Sequence, residues 1–260
     1  MNNEKIKTLL LEIEDAPLDF SVVLSGKKSR KVNGLYKPAE REIILHNKNF
    51  NDDNLLMYTA IHEYAHHIHS CKNGGGLPAR AHTTEFWAIF HKLLEKAESK
   101  KIYYNAYNKS EELNELTGLI REKYIKQNGT LFIELGKLLF RARELCEKAG
   151  LRFEDYIDRV LCLPRNGARA AIKSFSLCLE PALGQDNMRF VSAIRGEEER
   201  QTAQNALLSG SSVDTVKMAL RPSQEEEPRF KLEKEKGRLI RTIDTLSKRL
   251  AQVEAELLEF

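Results

Sequence analysis

The sequence lacks the features of secreted and membrane-spanning proteins. Its 260 residues include only four cysteines, at positions 71, 146, 162 and 178, and no two are spaced as CxxC. This scarcity excludes a disulfide-rich extracellular scaffold and a cysteine-based zinc ribbon. The longest apolar run near the start, Leu9-Leu10-Leu11, is far shorter than a signal-peptide core or a membrane span. We therefore expect a reduced, cytoplasmic protein with no membrane partner.

A strong charge of either sign is also missing. The chain has 41 lysines and arginines against 38 acidic residues, which gives a net charge of +3. With 42% hydrophobic and 30% charged residues, the composition is that of a folded chain with one large or two smaller domains. A mildly basic balance permits a nucleic-acid partner without requiring one.

The most informative stretch is His62-Glu63-Tyr64-Ala65-His66. Polar residues 51–53 precede an apolar pattern with three- and four-residue steps, which predicts a capped amphipathic helix. On that helix, His62 and His66 project from one face and can both reach one zinc ion. Glu63 would stand beside the metal as a base for a zinc-activated water. This arrangement is typical of metal-dependent peptidases.

A zinc peptidase site needs a third protein ligand, and three residues are candidates. His69 follows His62 by seven residues but lies a full turn beyond His66. Glu85 would suit enzymes whose third ligand is a glutamate on a later helix. We favour His82, because it follows a loop containing glycine and proline that can return the chain to the metal helix. Phe86 and Trp87 are then expected to pack the next helix against the metal helix and hold His82.

These motifs resemble the SprT-like zinc metallopeptidases, in which HExxH is followed by a His-Gly-x-x-Phe/Trp element. The chain has HEYAH and then HTTEFW, and upstream it has RKVNGLY followed by REIILH, similar to the strand pair that precedes the metal helix in this family. The resemblance covers about residues 18–97. It implies that His62, His66 and His82 bind Zn²⁺ and that Glu63 is catalytic. Thr83 stands where the family has glycine, and no zinc ribbon follows.

The predicted fold class is α+β and mostly helical. A small zincin-like domain, 1–105, would contain a helix over 2–16, a short sheet and the HExxH helix. Phe20–Leu24 and Glu42–His46 are the predicted strands, and we expect Glu42–His46 to pair with an extended substrate. The loop between them carries the basic cluster Lys27, Lys28, Arg30 and Lys31, which favours a solvated turn over a nucleic-acid contact.

An all-α accessory domain is predicted for residues 106–220. Thr130 would cap a helix over 131–148, and shorter helices would follow, including Glu154–Cys162 and Pro164–Phe175. Residues 153–175 have the pattern of a helix-turn-helix. Its second helix carries a basic stripe, Arg165, Arg169 and Lys173, which makes DNA a candidate partner, although a plain helical bundle with solvated arginines explains the pattern as well.

The C-terminal part is predicted to be a linker, 221–228, and a coiled coil, 229–260. Leu232, Leu239, Leu246, Val253 and Phe260 occupy one heptad position, and Lys236, Ile243, Leu250 and Leu257 occupy the other. Isoleucine at one seam position and leucine at the other favour a parallel homodimer. A helix that folds back onto its own chain is the alternative.

The function predicted from these patterns is zinc-dependent cleavage of protein or peptide substrates. The resemblance adds DNA-associated or DNA-crosslinked proteins as a substrate class. One alternative is a non-enzymatic DNA-binding or scaffold protein with a structural zinc and a dimerising coiled coil. Another is a regulatory peptidase specific for one partner protein.

Overall fold

The structure is a computed structural model that describes residues 1–78 and 80–221. In the C-terminal part it also describes eight helical positions, which are Lys236, Leu239, Ile240, Ile243, Asp244, Ser247, Leu250 and Glu254. Contacts divide the chain into two units, Met1–Leu220 and Arg221–Phe260. Most of the predicted linker and coiled coil lies outside the described residues.

The chain begins with helix α1 (Asn3–Ile13), which Asn2 caps by accepting a hydrogen bond from the Lys5 N–H. A three-stranded sheet follows, formed by β1 (Ser21–Leu24), β2 (Gly34–Lys37) and β3 (Glu42–Leu45). The strand order is β1-β3-β2, with β3 parallel to β1 and antiparallel to β2. Strand β3 is therefore central. The prediction that Glu42–His46 pairs with substrate is wrong, because both of its edges are already occupied.

Two long helices complete the first half of the fold, the first packed on the sheet and the second packed on the first. Helix α2 (Asp53–Lys72) is capped by Asp52 and carries the HExxH motif. Helix α3 (Thr84–Ser99) is capped by Thr83, whose hydroxyl accepts a hydrogen bond from the Phe86 N–H. Thr83 thus starts the helix next to His82. Buried side chains from all these elements form one hydrophobic core.

The second half starts with a longer helical stretch than the sequence predicts. Helix α4 (Glu111–Ile120) continues through a π-helical segment (Arg121–Lys126) into α5 (Gln127–Lys148). Thr130 was expected to be an N-cap, and this is wrong. Its hydroxyl instead donates to the Lys126 carbonyl inside the helix, since nothing interrupts the backbone hydrogen bonding there.

Shorter helices complete the described fold. They are α6 (Phe153–Asp155) with a π-helical segment (Tyr156–Val160), α7 (Arg165–Ser176), α8 (Gly184–Ala193), α9 (Glu197–Leu208) and α10 (Val213–Ala219). A second hydrophobic core forms where α5, α7 and α8 meet. Helix α10 packs back on α3, and the Ser212 hydroxyl lies 2.8 Å from Nδ1 of His91. His91 therefore links the two halves.

The expected fold class, α+β and mostly helical, is confirmed for the described residues. The boundary at 105/106 stays a prediction: the two hydrophobic cores lie on either side of it, whereas α10 bridges it. Within the part of the chain that the structure describes, no helix has both the length and the apolar character needed to cross a bilayer.

Candidate metal centre

The structure brings His62, His66 and His82 together at one point. One nitrogen atom from each ring lies within 4.8 Å of the other two. The Nε2 atoms of His62 and His82 are 3.1 Å apart, and two nitrogens bound to one tetrahedral zinc at about 2.0–2.1 Å would be about 3.3–3.4 Å apart. His66 is buried, His62 is partly exposed and His82 is exposed. The group could hold a metal ion that remains open to solvent on one side.

An aromatic platform from α3 fixes these rings. Phe86 is fully buried and contacts all three imidazoles, with ring centroids 5.0 Å from His62, 4.2 Å from His66 and 4.7 Å from His82. Trp87 stacks on His82 at 5.5 Å. The expected role of Phe86 and Trp87 in holding His82 is confirmed. Because the rings are positioned by stacking, their nitrogens are left free to act as ligands, and Nδ1 of buried His66 has no protein partner among the described residues.

The charge state of the rings also suits a metal. Burial, together with a smaller effect of the neighbouring imidazoles, lowers the pKa of His62 to about 4 and that of His66 to about 3. Both rings are therefore neutral at physiological pH, which is the state in which imidazole binds a cation. The donor set and its protonation fit zinc.

The two alternative third ligands are engaged elsewhere. His69 is buried on the next turn of α2, where its Nε2 lies 3.7 Å from a carboxylate oxygen of Glu85. The Thr83 hydroxyl is 3.5 Å from the same nitrogen. Within the described ranges, the histidine group that could hold a metal contains neither residue. This arrangement favours His82 as the third ligand and assigns His69 and Glu85 to the support of the α2–α3 contact.

Glu63 lines the same cleft as the three histidines. The cleft has a volume of about 470 Å³, and strand β2 forms its opposite wall. Glu63 is buried, and burial raises its pKa to about 7, while a hydrogen bond from the backbone N–H of Tyr36 acts in the opposite direction. The carboxyl group is thus placed beside the imidazoles and against the backbone of β2.

Gly34 is a site residue that sequence reasoning did not single out. A Cβ atom at this position would lie 2.9 Å from Cγ and from Oε1 of Glu63, and 2.9 Å from the Thr59 methyl group. Only glycine lets β2 come this close to the Glu63 side chain. The available signal was the glycine of Gly34-Leu35-Tyr36, but the local sequence does not show which helix this strand will contact.

Tyr36 anchors β2 to the far side of the metal helix. Its hydroxyl lies 3.0 Å from Nδ1 of His67, and Nε2 of His67 lies 3.0 Å from the Leu18 carbonyl oxygen. A carbonyl oxygen can only accept, so Nε2 of His67 donates and Nδ1 accepts from Tyr36. His67 points away from the metal group, as its position on the helix predicts. The resulting chain of hydrogen bonds fixes the distance between β2 and α2.

The basic residues that suggested DNA lie at a different surface. Arg165 donates to a carboxylate oxygen of Asp158 from Nε at 2.8 Å and also from its terminal nitrogen. Arg169 lies 4.0 Å from Glu154, and Lys173 is exposed. All three border a cleft of about 330 Å³ whose floor is apolar. The pairs with Asp158 and Glu154 neutralise part of the predicted basic stripe.

Comparisons with protein-family models, with curated proteins and with solved structures find no match for this chain.

Proposed function

We propose that this protein is a zinc-dependent endopeptidase whose N-terminal half is a small zincin-like domain. The observation that supports the proposal is the convergence of His62, His66 and His82 on one point, with Glu63 in the same cleft. A structural zinc is usually enclosed by four protein ligands, whereas a catalytic zinc keeps a position for water or substrate. Three imidazoles, one of them exposed, fit the catalytic case.

Each residue has a defined part in this proposal. His62, His66 and His82 would hold Zn²⁺, which when bound acts as a Lewis acid on the scissile carbonyl and makes water more acidic. Glu63 accepts a proton from the attacking water and then donates it to the leaving amine. The backbone N–H of Tyr36 orients the Glu63 carboxylate toward the cleft.

Strand β2 is the proposed substrate-binding edge, in place of β3. It pairs with β3 on one side only, and Gly34, Leu35 and Tyr36 line the cleft. An extended peptide can add to such an edge through main-chain hydrogen bonds. Since β2 also contacts Glu63, a peptide held there would present its carbonyl groups close to the catalytic residues.

The test combines metal analysis with a peptidase assay on the full chain. The wild type is expected to bind one zinc per chain and to cleave an unfolded protein such as casein. Glu63→Gln should keep the zinc and lose about 10²–10⁴-fold in turnover, which is the usual contribution of a general base. Full activity of Glu63→Gln would remove this residue from the mechanism. One zinc without cleavage in the wild type would favour a scaffold protein.

Action on DNA-associated proteins is a separate part of the proposal. It depends on the exposed cations of α7, of which Lys173 has no acidic partner among the ion pairs of the described residues. Contacts with phosphates would make binding to duplex DNA fall steeply with salt. Lys173→Glu should weaken that binding, and Lys217→Glu on α10 is the matched control. Binding that is absent at low salt would favour a regulatory peptidase with one protein partner.

We also propose that the C-terminal part pairs with a second copy as a coiled coil. Within the described tail positions, Leu239, Ile243 and Leu250 are helical and at least half exposed. Their heptad spacing favours pairing over exposure to water. Replacement of Ile243 and Leu250 by lysine should abolish this contact, which is measured as the molecular mass in solution.

A further inference from the structure

Helix α5 carries an apolar surface that its own domain does not cover. Leu131, Leu138 and Leu145 follow one another at seven-residue intervals, and their exposed fractions are 64%, 69% and 51%. Leu135, also exposed, and the partly buried Ala142 fill the positions four residues after Leu131 and Leu138. We call these five residues the α5 seam. It is a regular heptad pattern on a folded domain, far from the metal centre in sequence.

The α5 seam is separate from the face that α5 buries. Phe132, Gly136 and Leu139 lie against α7 and α8 in the second hydrophobic core. At 100° per residue, Leu131 and Leu138 lie about 100–120° around the helix from Phe132. The exposed run from Leu131 to Leu145 is about 21 Å long at 1.5 Å per residue. A face of this length and regularity is unusual for a surface that only contacts water.

Exposed apolar side chains also occur on the preceding helix. Leu113, Leu116, Leu119 and Ile120 of α4 are exposed, at 37–51%. The π-helical segment between α4 and α5 inserts one extra residue per turn, which changes the phase of the pattern between the two helices. The α5 seam is therefore defined on α5 alone.

The charges beside the α5 seam indicate what covers it. Glu134 and Arg141 lie one heptad apart on its polar edge, and both are exposed, with Arg141 also paired to Glu144 of its own helix at 2.9 Å. If two copies lie antiparallel, with Leu135 of one against Leu138 of the other, Glu134 of each copy comes beside Arg141 of the other. In a parallel pair these charges would instead face the row of Phe132 and Leu139, which is buried in its own domain.

We propose that the α5 seam is a self-association surface, at which two copies of this chain pair antiparallel through Leu131, Leu135 and Leu138. The contact is independent of the C-terminal coiled coil and of the metal centre. It would give each chain two association surfaces, so the full-length protein could assemble beyond a dimer. Such assembly would place several metal centres on one complex.

The test is sedimentation equilibrium on the full chain, in a background in which Ile243→Lys and Leu250→Lys disable the tail. That variant is expected to remain a dimer, with twice the chain mass of 29.8 kDa. Adding Leu131→Lys and Leu138→Lys should raise the dimer dissociation constant at least about a hundredfold, because four buried leucines are lost per dimer. Circular dichroism verifies that each variant is folded.

Leu55→Lys is the matched control. Leu55 is a 53%-exposed leucine on α2, outside the α5 seam. Its replacement in the same tail-disabled background should leave the molecular mass in solution at that of a dimer. Glu134→Arg should weaken the dimer about three- to tenfold, and Glu134→Arg with Arg141→Glu should restore it. Three results would overturn the proposal. The tail variant could be a monomer, its dimer could be insensitive to Leu131→Lys and Leu138→Lys, or the double charge reversal could fail to restore association.

Discussion

Gly34 lies against the side chain of Glu63, so closely that a Cβ atom at position 34 would be 2.9 Å from Oε1 of the carboxylate. The contact joins the edge strand of the sheet to the proposed catalytic residue on α2. The obstructing atoms, which also include Cγ of Glu63 and the methyl group of Thr59, belong to side chains and not to the backbone, so a methyl group at position 34 displaces these side chains first. The position of the carboxylate is then sensitive to residue 34 while the stability of the fold is not.

Gly34→Ala should therefore reduce peptidase activity at least about tenfold, since small displacements of a catalytic group have large effects on rate. Zinc content and melting temperature should stay close to those of the wild type. Gly76→Ala is the control, because a Cβ atom at Gly76 has nothing within 4 Å. If Gly34→Ala retained full activity, the contact with Glu63 would have no functional role.

Loss of a residue that only supports a ligand through a hydrogen bond weakens metal binding by about 10–100-fold. His82→Ala should weaken zinc binding by more than this, because a direct ligand is removed. Glu85→Gln should keep one zinc per chain, since Glu85 contacts His69 and not the metal group. Zinc affinity is measured by competition with a chromophoric chelator. Retention of zinc by His82→Ala with loss by Glu85→Gln would make Glu85 the third ligand.

The spacing of residues along the chain determines some of this site and leaves the rest open. Residues four apart on a helix must share a face, so the juxtaposition of His62 and His66 was predictable from local geometry. His82 was predictable because it follows a loop containing glycine and proline that can return the chain to the metal helix. The strand order was not, because it depends on pairing between β3 and two distant segments. As a result Glu42–His46 was predicted to pair with substrate, whereas it contains the central strand and the edge strands are β1 and β2.

The continuous helix from α4 to α5 was missed for a related reason. Gly129 and Thr130 resemble a helix start in the sequence, but Gly129 is buried where the backbone of Pro181 crosses α5. The glycine serves close packing with a segment some fifty residues away. A local pattern cannot distinguish a glycine that ends a helix from one that lets another segment approach it.

Tyr36→Phe should lower the free energy of unfolding by about 1–3 kcal/mol, because Nδ1 of His67 loses its buried donor. Tyr107→Phe removes the same atom from an exposed ring and should change stability by less than about 0.5 kcal/mol. Urea denaturation of the two variants gives the comparison. Equal stability of both would show that the Tyr36–His67 hydrogen bond does not hold β2 on α2.

Gly136 is a second position on α5 at which close packing requires glycine. A Cβ atom there would lie 2.1 Å from the Ala171 carbonyl oxygen, so α5 and α7 meet at backbone distance. Gly136→Ala should destabilise the helical half by about 1–3 kcal/mol or more, since backbone atoms have to move apart. Gly118 lies on α4, and a Cβ atom there would have nothing within 4 Å. Gly118→Ala should therefore raise the free energy of unfolding by about 0.5–1 kcal/mol, because alanine has the higher helix propensity.

Gly136→Ala also tests whether residues 1–105 form a domain of their own. If they do, Gly136→Ala should lower the urea midpoint of the second half while zinc content and the unfolding of the first half stay unchanged. If α10 makes the two halves cooperative through its packing on α3, the variant should instead shift a single transition that also releases zinc. Tryptophan fluorescence follows the first half, because Trp87 stacks on His82 at the metal centre, and far-UV circular dichroism follows the largely helical second half.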